Sequence, residues 1–205
     1  MAIIKPLTKR QLIEYFQVYR DAFPEWAVEH DVVLVRTQGP VTQYISFEAL
    51  RSGAYRPACS VEVAGPPNRV QMLFRFLDIK HRQVLPREHP TMWPRVLKAM
   101  EEQFFPSIRR PLDVAEVLRL AEEEVQRDRI DNINFSAGLA VLNAHVGNTE
   151  RALLWCEQAE RQAAGRGPTA ADWELQQVQF TRELREVFEN GDRESLLRWR
   201  DGRQG

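Results

Sequence analysis

The run VTQYISFEAL, Val41–Leu50, alternates Val41, Ile45 and Phe47 with Thr42, Tyr44, Ser46 and Glu48. A period of two sends one set to each face of a pleated strand. The same alternation lies on both sides of it. Upstream, VVLVR (Val32–Arg36) is β-branched and apolar, and Gly39-Pro40 punctuates the link as a turn. Downstream, ACSVEVA (Ala58–Ala64) sets Cys59, Val61 and Val63 against Ser60 and Glu62. Gly65-Pro66-Pro67-Asn68 is a turn signal, and RVQMLFRFL (Arg69–Leu77) sets Val70, Met72, Phe74 and Phe76 against Gln71, Leu73 and Arg75. Four strands joined by short turns predict an antiparallel meander with one buried and one wetter face. No helix-length connection separates them, as a parallel sheet requires, and no Gly-rich phosphate loop follows any of them. A doubly wound nucleotide-binding fold is therefore not expected.

Helices flank this block. TKRQLIEYFQVYRDA (Thr8–Ala22) carries Leu12, Ile13, Phe16, Val18 and Tyr19 roughly on one face, with Thr8 as N-cap and Pro24 as stop. It is expected to cover the buried face of the sheet, together with a later helix. From Thr91 the pattern is helical. TMWPRVLKAMEEQFF (Thr91–Phe105) spaces Val96, Met100 and Phe104 by four and ends at Pro106, and Pro94 falls in its first turn. PLDVAEVLRLAEEEVQRD (Pro111–Asp128) has a stripe of Val114, Val117, Leu118 and Ala121. ADWELQQVQFTRELREVFEN (Ala171–Asn190) follows a GRGPT link, and RESLLRWR (Arg193–Arg200) forms a last short helix before a polar tail.

Between these lies NFSAGLAVLNAHVGNTERALLWCEQAERQ, Asn134–Gln162, which reads as two helices back to back across Gly147-Asn148. Ala140, Ala152 and Ala159 permit close approach, and Leu139, Leu142, Leu153 and Cys156 fill the space between and beneath. The spacing of Leu139, Ala140, Gly147, Ala152 and Ala159 resembles the tetratricopeptide repeat. The chain departs from that pattern at Asn143 and Cys156, where aromatics are usual, and at Trp155, one residue out of register. Ala163–Gly165 stand where a Pro is usual. The order of a small antiparallel sheet with helices before and after is similar to bacterial domains found among toxin-neutralising immunity proteins; no motif carries that second likeness.

The expected fold is thus α+β: an N-terminal helix and a four-stranded antiparallel sheet, then an α-helical, tetratricopeptide-like C-terminal half. Residues 1–106 would hold the sheet and its covering helices, and residues 107–205 a helical bundle, the two packed as one unit. A chain of 205 residues with 43% hydrophobic and 28% charged side chains has the composition of a folded globular protein. Residues 1–110 carry a formal charge of +5 and residues 111–205 one of −6, which suits two mutually attracting halves. The basic residues are spaced singly apart from Lys9-Arg10 and Arg109-Arg110, so a nucleic-acid partner is not expected. Arg outnumbers Lys 24 to 4, which points to no function. No apolar run reaches membrane-spanning length, and the N-terminal MAIIKPLTKRQLIEYF has too short an apolar stretch for a signal peptide, so a cytoplasmic protein is expected.

Chemistry is sparsely signalled. His30, His81, His89 and His145 form no HxxxH or HExxH, there is no CxxC or GxSxG, and the Glu101-Glu102 pair and the Glu122-Glu123-Glu124 triplet are helix-surface runs. No metal, no cofactor and no catalytic residue is assigned. Cys59 and Cys156 read as buried, reduced thiols, and Trp93, Trp155 and Trp173 as core. Trp26 and Trp199 read as partly exposed. The wetter sheet face would gather Arg36, Tyr44, Ser60, Glu62, Gln71 and Arg75. Arg and Tyr on a rigid sheet suit protein recognition, so Arg36, Tyr44, Arg75 and Trp26 are the candidate partner-binding residues. Two functions fit. One is a non-enzymatic protein-binding module of a bacterial cytosol, such as an immunity protein that blocks a toxin sterically and electrostatically. The other is an enzyme of unfamiliar type with its site between sheet and helical half.

Overall fold

The computed structural model describes residues 7–64, 69–79, 83–128, 132–166 and 171–190. The Gly65–Asn68 turn, His81, Trp199, the RESLLRWR helix and the N-terminal apolar stretch lie outside them. The fold is α+β, with an open five-stranded antiparallel sheet in the order β1-β2-β3-β4-β5 and six helices among the described residues. The strands are β1 (Ala27–Glu29), β2 (Val33–Gln38), β3 (Val41–Ala49), β4 (Tyr55–Val63) and β5 (Val70–Phe76). The helices are α1 (Lys9–Ala22), α2 (His89–Gln103), α3 (Val114–Asp128), α4 (Ile133–His145), α5 (Thr149–Arg166) and α6 (Asp172–Glu189).

The expected four strands become five because β1 was missed. It is three residues long and exposed throughout, so it carries no alternation to read. It pairs antiparallel with β2, Ala27 opposite Val35 and Glu29 opposite Val33, across a loop in which His30 and Asp31 take left-handed backbone angles. Lys9 holds Asp31 at 2.7 Å.

By internal contacts the chain forms two compact units, and the division runs through strands β2 to β5. One holds α1, β1, the chain up to Arg36, Gln43–Ser60 and Phe74–Leu112. In it α1 starts on a reciprocal cap: Thr8 Oγ1 accepts from the Gln11 N–H, and Gln11 Oε1 accepts from the Thr8 N–H at 3.0 Å. Leu12, Phe16 and Tyr19, at helical spacing, are buried against Ile45, Phe47 and Tyr55 of the sheet. Val96, Met100 and Phe104 from α2 and its C-cap complete this core, as their spacing predicts. Alternation puts Leu34, Ile45, Phe47, Tyr55 and Cys59 on this one face. Because α2 begins at His89, two residues before the predicted start, Pro94 lies inside the helix and not in its first turn.

The other unit holds Thr37–Thr42, Val61–Leu73 and the helices from Asp113 on. Helix α3 begins where the Asp113 carboxylate accepts from the Ala115 N–H at 2.9 Å, and its predicted stripe of Val114, Val117, Leu118 and Ala121 is buried. Helix α4 starts on the Asn132 side chain and is buried on almost every side, including Ser136 and Asn143. A helix without a polar face belongs at the centre of its unit, and α3, α5 and α6 all pack on it. Gly147, at φ +83°, makes the turn into α5, where Ala152, Cys156 and Ala159 are buried as read. A Cβ on Gly138 would stand 2.3 Å from Met72 Sδ, so glycine is what lets α4 approach β5 this closely. Trp173, read as core, is exposed on α6; the α6 core residues are Val178, Phe180 and Leu184.

Candidate functional site

Strand β5 ends the sheet, so one side of its backbone has no neighbouring strand among the described residues. Its side chains divide unexpectedly. Val70 and Met72 are buried, but Phe74 and Phe76, which share their parity and were expected in the core with them, are 44% and 40% exposed. Leu73 and Leu77, of the opposite parity, are buried instead. The strand contributes to both units, Val70–Leu73 to one and Leu77 to the other, and the two phenylalanines are buried in neither. They pack on each other edge to face, 4.6 Å between centroids at 90°. Arg56 of β4 lies over the Phe76 ring at 3.4 Å and pairs with Glu48 at 2.6 Å.

Beyond β5 a groove of about 540 Å³ opens, lined by Phe76, Leu77, Asp78, Glu102, Phe105 and others. Leu77 is buried and Phe105 is 45% exposed. Gln103 fixes the groove's shape: its carboxamide accepts from the Asp78 N–H at 2.8 Å and donates to the Asp78 carbonyl at 3.0 Å.

The four sequence-predicted residues do not form one surface. Trp26, expected to be partly exposed, is only 5% exposed. The Arg36 guanidinium lies over its ring at 4.6 Å, and Phe23 meets it edge on. Arg36 is half-buried and faces inward. It donates through Nε to Gln43 Oε1 at 2.8 Å, to the Arg110 carbonyl at 2.5 Å, and to the Ser107 carbonyl. Gln43, fully buried, donates in turn to the Pro106 carbonyl at 2.8 Å. This side chain clasps the segment after α2. Tyr44, one residue beyond Gln43, points by alternation to the opposite face from Arg36 and is half-buried. The expectation that Arg36 and Tyr44 share a face is thereby corrected. Arg75 is exposed and lines the groove, on the face opposite Phe74 and Phe76. The structure thus pairs Trp26 with Arg36 inside the fold, and places Tyr44 and Arg75 apart.

Sequence reasoning missed Phe74, Phe76, Phe105 and Arg56. A signal was present in RVQMLFRFL, where apolar residues occupy both parities. Such a strand is either buried on both faces or shows an apolar residue to water.

Titratable side chains converge in one place among the residues of the α1–α2 core. The Tyr19 and Tyr55 hydroxyls are 2.8 Å apart, and Tyr55 Oη is 2.8 Å from His89 Nδ1. Tyr15 packs on the imidazole, 4.6 Å between centroids. Burial pushes both tyrosine hydroxyls well above their ordinary range and His89 below its own. Tyr19, Tyr55 and His89 are all buried, so the chain of hydrogen bonds reads as a satisfied polar element of the core. Cys59 and Cys156 are free and buried, and burial raises each thiol to about 12, far from a nucleophile's range. No group of three or more His, Cys, Asp or Glu side chains among the described residues is placed to hold a metal ion. No helix among them is long and apolar enough to cross a membrane.

In comparisons with family models, with curated proteins and with solved structures, nothing matches this chain.

Proposed function

We propose that this chain is a non-enzymatic protein-binding module. The observation that carries the reading is the exposed Phe74–Phe76 pair with Arg56 stacked on it, at the open edge of a rigid sheet. Aromatic and Arg side chains together are the residues most enriched where binding energy concentrates. The tetratricopeptide-like reading of the α4–α5 hairpin fits a scaffold that holds a shape. The likeness of the element order to bacterial immunity proteins makes a cytosolic toxin the first partner to try, blocked sterically and electrostatically and without chemistry.

The test is affinity capture from source cells with tagged wild-type chain and with Phe74→Ser/Phe76→Ser. Wild type retains one stoichiometric protein and the double variant loses it. Turnover of a small molecule by the pure chain, abolished by substituting a single buried polar residue such as His89, would overturn the reading in favour of an enzyme.

A further inference from the structure

We infer that the outer edge of β5 accepts an extended segment of the partner as an added strand, with a lysine or arginine of that segment seated in the groove between Phe76 and Phe105. The inference rests on the protein-binding reading and specifies the partner's chemistry.

Register supplies the first half of the argument. The Leu77 N–H donates to the Pro57 carbonyl at 3.0 Å, and the Tyr55 N–H, on the same side of β4, donates to the Val84 carbonyl. In an antiparallel ladder alternate residues face the neighbour. Leu77 and Arg75 therefore face β4, and the N–H and C=O groups of Phe74 and Phe76 point outward from the sheet. The residues with outward main chain are the same two whose aromatic rings are exposed. A strand laid along this edge gains backbone hydrogen bonds and covers both rings at once.

Charge supplies the second half. The groove continues the line of β5, with buried Leu77 in its lining, exposed Phe76 and Phe105 rings, and the carboxylates of Asp78 and Glu102. Helix α2 ends here at Gln103, which adds the negative end of its dipole. Rings and carboxylates together favour a cation and disfavour an anion. Phe76 already carries one guanidinium, that of Arg56. Arg75 and Asp78 share the groove and are both engaged within the chain, so Glu102 is the carboxylate on which the preference for a cation rests. Among the described residues Glu102 pairs with Lys98, at 3.7 Å and with both side chains exposed, a pair that water screens and an incoming cation can replace.

The test uses the full chain, isotope-labelled, and three short probes: alternating Thr and Val with lysine at both ends, the same core with glutamate at both ends, and the lysine probe methylated on alternate backbone nitrogens. The lysine probe shifts the amide resonances of Phe74 to Asp78 and binds roughly tenfold more tightly than the glutamate probe. Backbone methylation removes binding, and Glu102→Lys cancels the lysine preference. Phe74→Pro deletes an outward N–H without touching the ladder to β4 and also removes binding. Equal affinity for the two charged probes, shifts centred away from β5, or undiminished binding of the methylated probe overturns the inference. If Phe74→Pro captures from cells the same partner as wild type, the protein-binding reading stands and strand addition falls. If neither captures a partner while the lysine probe behaves as described, the edge is confirmed as a cation-selective strand acceptor and the cellular reading is what fails.

Discussion

The Tyr55 hydroxyl lies 2.8 Å from His89 Nδ1, and both side chains are buried at the first turn of α2. The bonds close with a neutral imidazole in the tautomer whose Nδ1 accepts from Tyr55 while the Tyr55 oxygen accepts from Tyr19. Protonation would turn Nδ1 into a donor, break that order, and set a cation at a helix N-terminus. The ring-bearing groups around His89 are Tyr15 and Tyr19 from α1 and Tyr55 from β4, none of them a carboxylate.

A pH dependence of stability follows. Burial lowers the His89 pKa in the folded chain, so below the unfolded value of about 6.5 the unfolded state binds the proton first. Stability contributed by neutral His89 is complete above about pH 7 and declines as pH falls from about 6.5 toward the lowered folded value. Urea unfolding from about pH 8 to pH 5 measures it. His89→Asn keeps an acceptor near the Nδ1 position and flattens this part of the profile. An unchanged slope in the variant assigns the dependence to other groups.

Tyr55→Phe removes the middle of the chain and leaves Tyr19 Oη and His89 Nδ1 without that partner inside the core. A loss of about 1–3 kcal/mol is expected, the cost of stranded buried polar groups. If the cost is within about 0.5 kcal/mol, the range of a neutral surface change, the hydroxyl chain contributes nothing to the fold.

Gly138→Ala tests the seating of α4 on β5. The new Cβ falls 2.3 Å from Met72 Sδ, near the end of a flexible but buried side chain, so Met72 has to repack within the core to admit it. Overpacking of this kind costs about 1–3 kcal/mol. Met72→Ala in the same chain makes room, so the double variant should be more stable than the sum of the two single losses. A double-mutant cycle by thermal melting reads the coupling, and additive losses would disprove the contact.

Arg36 is predicted to act on stability through geometry that lysine cannot copy. Its guanidinium meets Gln43, two backbone carbonyls and the Trp26 ring together. Arg36→Lys should therefore lose nearly as much as Arg36→Ala, about 2–4 kcal/mol, with a quenching change in Trp26 fluorescence. Full rescue by lysine would reduce the site to a point charge.

Much of this architecture could be read before any coordinates. Thr8 and Gln11, the spacing of Val96, Met100 and Phe104, and the Gly147 turn are local signals, and local signals survive folding. What the sequence hid is tertiary. Alternation assigns residues to two faces but does not say which stretch of each face a helix covers, so Phe74 and Phe76 read as core beside Met72. Arg36 read as surface because alternation set it on the wetter face; its partners are carbonyls some seventy residues later, at Ser107 and Arg110. Strand β1 escaped because three exposed residues hold no period at all.

The exposed aromatic pair yields the sharpest separation of function from stability. Phe74 and Phe76 are 44% and 40% exposed, so replacing them with Ser empties no fully buried site and spares the backbone ladder to β4. Phe74→Ser/Phe76→Ser should change unfolding free energy by no more than about 1 kcal/mol, the sum expected of two surface substitutions. Met72→Ser, two residues earlier on the same parity, should cost about 2–5 kcal/mol because it empties a buried site. Chemical denaturation of the two variants side by side decides the matter. If the double variant is destabilised as much as Met72→Ser, the two rings belong to the core, and loss of partner binding in that variant would report unfolding and not recognition.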